Sequence, residues 1–293
     1  MNPTRPTILI TGSDGQLGRE IFEASSKIHA FDFFFRNRIQ LDITSKAQIE
    51  EQIVHYKPWA IINTAAYTQV DAAEDHEELA ALVNTRGPEN LAQLCQGFGI
   101  KLYHISTDYV FDGAGLKPYL ESDPCAPINA YGMSKLGGED AIRNLLHEHF
   151  IIRTSWLYSK FGNNFFKTIS RLAQEREVIR VVDDQIGSPT WASEVAKQLL
   201  HLLELNYRGF NEYGTYHLSN KGSVSWFDFA CEIIQKQKFN CLVQAIPTIE
   251  FPTKAARPKM SVLDCGRWED KIGAIPNWLE SLDQCISSHT SHH

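Results

Sequence analysis

Along its first half the chain alternates short runs rich in β-branched, leucine and aromatic residues with longer stretches whose apolar positions recur at helical spacing. That alternation predicts repeated βαβ units around a parallel sheet. Strands are expected at 7–11, 31–35, 59–63, 100–106 and 150–153, and helices over 16 to about 27, 45 to about 56, about 77–97 and about 131–147. Ser45 marks one helix start, because its hydroxyl can accept from unpaired first-turn amides. Beyond residue 155 the alternation loosens, and helical segments near 163–175, 191–205 and 225–237 are separated by loops such as Gly187-Ser188-Pro189. The expectation is a doubly wound α/β protein with a first domain over 1–155 and a smaller lobe over 156–293, some late segments returning to the first sheet.

Composition narrows the class. At 43% hydrophobic and 22% charged over 293 residues the chain is globular, which excludes disorder and a collagen-like structure. Its 28 basic and 35 acidic side chains leave a net charge of −7, so no positive field is available for a nucleic acid. No stretch approaches the roughly 18 consecutive apolar residues of a membrane span. The residues before the first strand leave no room for a signal peptide, so the expected location is the cytoplasm. Six cysteines without a Cys-x-x-Cys pair read as reduced structural thiols. The histidine-containing tail, 287–293, is read as a terminus without function.

Three constellations carry chemistry. Thr11-Gly12-Ser13-Asp14-Gly15-Gln16-Leu17-Gly18 sets three glycines between a predicted strand and a predicted helix. Missing side chains let backbone approach a pyrophosphate at the positive end of a helix dipole, the Rossmann arrangement for a dinucleotide. After the second strand, Arg36 and Arg38 stand near the position where arginine suits the 2′-phosphate of NADP; two solvated surface arginines are the alternative. Asp42-Ile43 lies within reach of an adenine ring, although a carboxylate beginning a helix is also a good helix neighbour.

The second constellation is Tyr131-Gly132-Met133-Ser134-Lys135, a phenol and an ammonium four residues apart on one helix face. An adjacent ammonium favours phenolate and lowers the tyrosine pKa toward the range of a working acid or base. The third, Ser106-Thr107-Asp108-Tyr109, follows the fourth strand at the sheet edge where ligands collect, so that a hydroxyl there can donate to a substrate carbonyl.

Together the three resemble the extended short-chain dehydrogenase/reductase superfamily. The resemblance sharpens to the dTDP-4-dehydrorhamnose reductase family through Asn63-Thr64-Ala65-Ala66-Tyr67-Thr68, Val70-Asp71-Ala72-Ala73-Glu74, the run 106–113, Arg153-Thr154-Ser155-Trp156-Leu157-Tyr158, Gly162-Asn163-Asn164-Phe165 and 184–190. It continues through 214–219, Ala256-Arg257-Pro258 and Ile275-Pro276-Asn277-Trp278, nearly the whole chain.

The resemblance implies NADPH as cofactor, with NADH as a second choice, and a dTDP-4-keto-6-deoxy sugar reduced at C4 to make dTDP-L-rhamnose for bacterial surface polysaccharide. It implies Thr107, Tyr131 and Lys135 as catalytic residues, and Gly12, Gly15, Gln16, Leu17, Asp42, Ile43, Ala65, Ala66, Tyr67 and Lys135 as the cofactor lining. Trp156 would contact the sugar, with Thr68, Val70, Asn164 and Arg257 also on the substrate side. Without the resemblance Trp156 reads as packing and Arg257 as a surface arginine; with it, the fork of Arg257 could clamp a diphosphate. Family members are often homodimers, some with magnesium held by glutamates; Glu194 is a candidate donor, but a helix glutamate facing water is the better reading and no metal is expected. Two alternatives stand beside the reductase: a nucleotide-sugar dehydratase or epimerase, which would want Asp-Glu after the threonine where this chain has Asp108-Tyr109, and a non-catalytic regulatory subunit of the methionine adenosyltransferase type.

Overall fold

The computed structural model describes residues 5–290, so the last three residues of the histidine-containing tail lie outside the described residues. Strands β1 (Thr7–Thr11), β2 (Asp32–Arg36), β3 (Ala60–Asn63), β4 (Lys101–Thr107) and β5 (His149–Thr154) form one parallel sheet. β1 and β3 are central because their side chains are apolar on both faces, and Ile8, Leu9, Ile10, Ala60, Ile61 and Ile62 are fully buried. The intervening helices are α1 (Gln16–Ser25), α2 (Lys46–Tyr56), α3 (Val70–Ala73), α4 (Glu77–Ala81), α5 (Gly87–Phe98) and α6 (Ala130–Leu145). Ser45 caps α2, its side chain accepting from the Gln48 amide as the sequence predicts.

The single helix expected over 77–97 is broken instead. Five residues of π-helix, Leu82–Arg86, separate α4 from α5. The turn places Asn84 inside the protein, where it accepts from the Tyr67 amide and donates to the Tyr67 carbonyl and to Ser134 on α6. Helical periodicity carries no signal for such a turn, whose reason is this side-chain bridge.

After β5 come β6 (Leu157–Tyr158), α7 (Phe165–Glu175), β7 (Val178–Val182), β8 (Ile186–Gly187), β9 (Thr190–Trp191), α8 (Ala192–Tyr207), β10 (Gly214–His217), β11 (Val224–Ser225), α9 (Trp226–Gln237), β12 (Leu242–Ile246), α10 (Gly266–Lys271) and α11 (Trp278–Thr290). β10 joins the main sheet beside β5, and the apolar face of α8 packs with Leu17 and Ile21 of α1 in the same core. The first layer thus takes elements from both sides of residue 155. The remaining lobe has its own core around Tyr158, Phe166, Phe229, Ile233 and Leu282, with β7 and β12 as a separate parallel pair.

The sheet order is β10-β5-β4-β3-β1-β2. The direction in which successive strands are added reverses between β1 and β3, so a crevice opens outside their carboxyl ends, where ligands of doubly wound sheets bind. No helix among the described residues is long and apolar enough to cross a membrane. All six cysteines are free.

Candidate active site

The glycine loop lies at that crevice. Gly12 takes a positive φ of 71°, and a β-carbon there would lie 2.5 Å from the Ala65 nitrogen. Loop and β3–α3 segment therefore touch backbone to backbone, as a cradle for an extended dinucleotide requires. Gly15 caps α1 without a side-chain hydrogen bond, leaving first-turn amides free for a phosphate. Ala65, Ala66 and Tyr67 follow the end of β3 at the same crevice edge, half-buried.

Other expected lining residues have partners already. Leu17 is buried in the main core, and Ile43 is buried in the core on the opposite face of the sheet. Gln16 donates through Nε2 to the Leu157 carbonyl and accepts at Oε1 from Asn164, so it ties α1 to the second lobe. The Asp42 carboxylate accepts from the amide and hydroxyl of Thr44, an Asx turn into α2. Arg36 donates to Gln52, to the Phe35 carbonyl and to the Tyr56 hydroxyl, its guanidinium lying 4.7 Å from the Tyr56 ring centre. Arg38 is exposed just beyond it. Sequence reasoning missed the aromatic bracket on Arg36, because Tyr56 is one helix away.

At the end of β4 two adjacent hydroxyls are sorted by their partners. Ser106 donates to Glu139 at 2.5 Å beneath the sheet edge. Thr107 follows it, donating to Asp108 Oδ1 at 3.0 Å and accepting from the Tyr109 amide at 3.2 Å. Burial pushes the Asp108 carboxyl up to about 6. Asn129 caps α6 by accepting from the Gly132 amide and donates to the Ala256 carbonyl, which fixes the start of the helix that carries Tyr131 and Lys135.

Burial pushes the Tyr131 phenol up to about 12, opposed by the Thr107 hydroxyl beside it and reinforced by the Asp108 charge. Lys135 is buried, and its Nζ donates to the Ile105 carbonyl at 2.6 Å with His104 Nε2 at 3.4 Å. Burial pushes it down to about 8. The expected lowering of the phenol by Lys135 is absent here, because the amine is drawn to β4 and the phenol meets Thr107 instead. Glu139, one turn beyond Lys135, is fully buried; burial alone would raise its carboxyl, but hydrogen bonds and charge from Arg153 hold it below the usual carboxylate range.

On the substrate side, Trp156 adopts a positive φ of 44° and stacks on Trp226 with ring centres 3.4 Å apart. A β-carbon on Gly187 would lie 2.3 Å from the Trp156 indole, so only glycine fits beneath it. Trp226, which sequence reading did not single out, is the floor of this aromatic wall. Arg257 is not free to clamp a diphosphate in this structure: its fork donates to both oxygens of Asp71, at 3.0 and 2.7 Å. Asn164 is a helix cap, accepting from Lys167 and donating to the carbonyls of Ser159 and Phe161, which leaves its side chain little for a substrate. Val70 opens α3, half-buried, and Thr68 is exposed beside it. Glu194 accepts from Gln198 and pairs with Lys197, and no group of three or more potential metal ligands occurs among the described residues.

Known proteins are similar to this chain along nearly its whole length. A dTDP-4-dehydrorhamnose reductase from Aggregatibacter actinomycetemcomitans is 40% identical over 283 residues, 94% of this chain and 96% of the relative. The crystal structure of such a reductase from Clostridium acetobutylicum superposes with a TM-score of 0.92 at 39% identity, covering 97% of this chain and 99% of that one. One from Bacillus anthracis, solved in complex with NADP, gives 0.91 at 40% identity, covering 97% and 100%. The RmlD substrate binding domain family matches residues 6–291. With the glycine cradle, the hydroxyl at the end of β4 and the tyrosine–lysine helix in one crevice, and likeness running end to end, the chain belongs to the RmlD family of dTDP-4-dehydrorhamnose reductases.

Proposed function

We propose that this protein reduces the C4 keto group of dTDP-4-dehydro-L-rhamnose with NADPH, and with NADH as a second choice, giving dTDP-L-rhamnose for surface polysaccharide. The observation that carries the reading is the Thr107 hydroxyl beside the Tyr131 phenol, with buried Lys135 one turn along the same helix and the glycine cradle at the carboxyl end of β1 in the same sheet.

Residues that would hold the dinucleotide are the amides at the start of α1, the backbone of Gly12 and Gly15, and the Ala65–Tyr67 segment. When bound, the nicotinamide supplies the reducing equivalent, and the chain supplies positioning and proton handling. Tyr131, protonated throughout the neutral range, delivers its phenolic proton to the C4 oxygen. Thr107 turns its hydroxyl from Asp108 to the same oxygen and stabilises the charge that develops there. Lys135 holds the nicotinamide ribose and, as an ammonium, favours the phenolate left after transfer. Trp156, held between Trp226 and Gly187, offers the edge of its indole to the sugar.

A cytoplasmic location and a homodimer complete the reading, the former suited to six free thiols. The test is NADPH consumption with the 4-keto-6-deoxy sugar nucleotide generated in situ. Oxidation dependent on that sugar is expected; no turnover with either dinucleotide rejects the reading in favour of a binding module.

A further inference from the structure

A line of buried polar side chains runs from the glycine loop to Lys135, and the proposed reaction does not itself use it. Thr11 donates its hydroxyl to Asn63 Oδ1 at 2.6 Å, and the Ala65 amide donates to the same oxygen at 3.2 Å. Asn63 Nδ2 lies 2.9 Å from His104 Nδ1. His104 Nε2 in turn lies 3.4 Å from Lys135 Nζ. Thr11, Asn63 and His104 are 0% exposed and Lys135 is 2% exposed, so bulk solvent does not compete for these contacts.

Donor and acceptor chemistry then determines where the protons sit. A backbone amide can only donate, so the Asn63 atom facing Ala65 is its carbonyl oxygen and the atom facing His104 is its amide nitrogen. That nitrogen donates, which requires a bare lone pair on His104 Nδ1. Burial, with Lys135 and His149 nearby, holds the imidazole well below its ordinary pKa, hence neutral. A neutral ring bare at Nδ1 carries its proton on Nε2. This proton points at Lys135 Nζ, and an ammonium has no lone pair to receive it.

We propose that Asn63 and His104 form a tautomer lock on Lys135, in which His104 Nε2–H donates to the lysine and favours its free amine in the cofactor-free protein. His104 is thereby a positioning residue that acts through Lys135. The charged and titratable groups around the lock are His104 from β4, His149 from β5, and Lys135 and Glu139 from α6, with Arg153 of β5 bound to Glu139. Glu139 favours the ammonium, but its carboxylate is already bound by Arg153 and Ser106. Only the consequence for turnover rests on the reading of Lys135 as catalytic.

The test is nitrogen NMR on protein labelled with 15N-histidine, the His104 signals assigned by their loss in His104→Gln. A neutral ring protonated at Nε2 from about pH 6 to about pH 9 is expected. An Nδ1–H ring, or one that titrates in that range, overturns the lock. Asn63→Asp places an acceptor opposite Nδ1 and inverts the tautomer, so Nε2 then accepts from an ammonium. The alkaline limb of kcat/KM, where Lys135 loses its proton, should move up by about one pH unit or more. A limb that stays in place overturns the lock even if the rate falls. The NMR result needs no turnover: the Nε2–H ring in a protein inactive on the keto sugar overturns the proposed reaction alone, and a different ring in an active protein overturns the lock alone.

Discussion

At the catalytic edge, the groups behind Tyr131 are braced by side chains that solvent does not reach. Glu139 and Arg153 pair at 2.7 Å with 0% and 2% side-chain exposure, Ser106 adds a third bond, and Asn84 ties α6 to the cofactor-side segment. The contacts of the residues expected on the substrate side are built differently. Asp71 and Arg257 pair at the same 2.7 Å, yet Asp71 is 46% exposed, and Trp156 and Trp226 are only half-buried, one in a loop and one at a helix start. The buried pair costs desolvation and returns rigidity, because losing either partner strands a charge in the interior. The exposed clasp is screened by solvent and can open at little cost. On the proposed reading, the buried set would hold the proton donor still and the exposed set would admit and release a large substrate.

Substitutions on the two sides put this difference to the test. The largest effect is expected at the braced edge: Tyr131→Phe should cut kcat by about 100-fold or more while NADPH binding persists, as read by cofactor fluorescence. Turnover within a few-fold of the unaltered protein would remove Tyr131 from proton delivery. Glu139→Ala should lower unfolding free energy by about 3–5 kcal/mol in urea denaturation, since Arg153 would be left buried and unpaired. If the loss is below about 1 kcal/mol, the range of an exposed pair, the brace is no stiffer than the clasp.

The wall should respond in binding before it responds in stability. Gly187→Ala pushes against the Trp156 indole and should raise KM for the sugar nucleotide about 10-fold, with a smaller change in kcat. The reverse split would place Trp156 in packing alone. The smallest effect is expected at the clasp, where Asp71→Asn should cost about 1 kcal/mol or less in stability. The hydrogen bonds from the Arg257 fork hold the Asp71 carboxyl below its usual range. Because the folded-state pKa is the lower one, the clasp contributes above the ordinary aspartate range, and its contribution is lost as pH falls through the lowered value. Melting temperatures compared between about pH 3 and pH 7 would show that sign, and no difference between the two proteins would leave the clasp without energetic weight.

The same contrast explains what the amino-acid pattern could reveal. The parallel strands and the tyrosine–lysine helix are legible because each is written in contiguous residues: the unbroken apolar run Ile8-Leu9-Ile10 marks a strand buried on both faces, and Tyr131 and Lys135 share a helix face by spacing alone. The π-turn at Leu82–Arg86 is invisible there, since its cause is Asn84 reaching Tyr67 and Ser134 from other elements. So is the pairing of β10 with β5, because a four-residue strand states nothing about its neighbour. Arg257 and Asn164 are legible as side chains of the right kind, but their partners Asp71 and Ser159 emerge only on folding.

The alternation of strands and helices, the cradle at Gly12 and Gly15, and the kinds of group offered for chemistry follow from residue type and local geometry, and neighbouring positions in the chain are enough to specify them. Folding settles the remainder: Lys135 meets His104 and the Ile105 carbonyl while Tyr131 meets Thr107, Trp226 backs Trp156, and Asp71 occupies Arg257. Proton positions and free donors depend on which partners burial brings within about 3 Å, and those partners lie far apart along the chain.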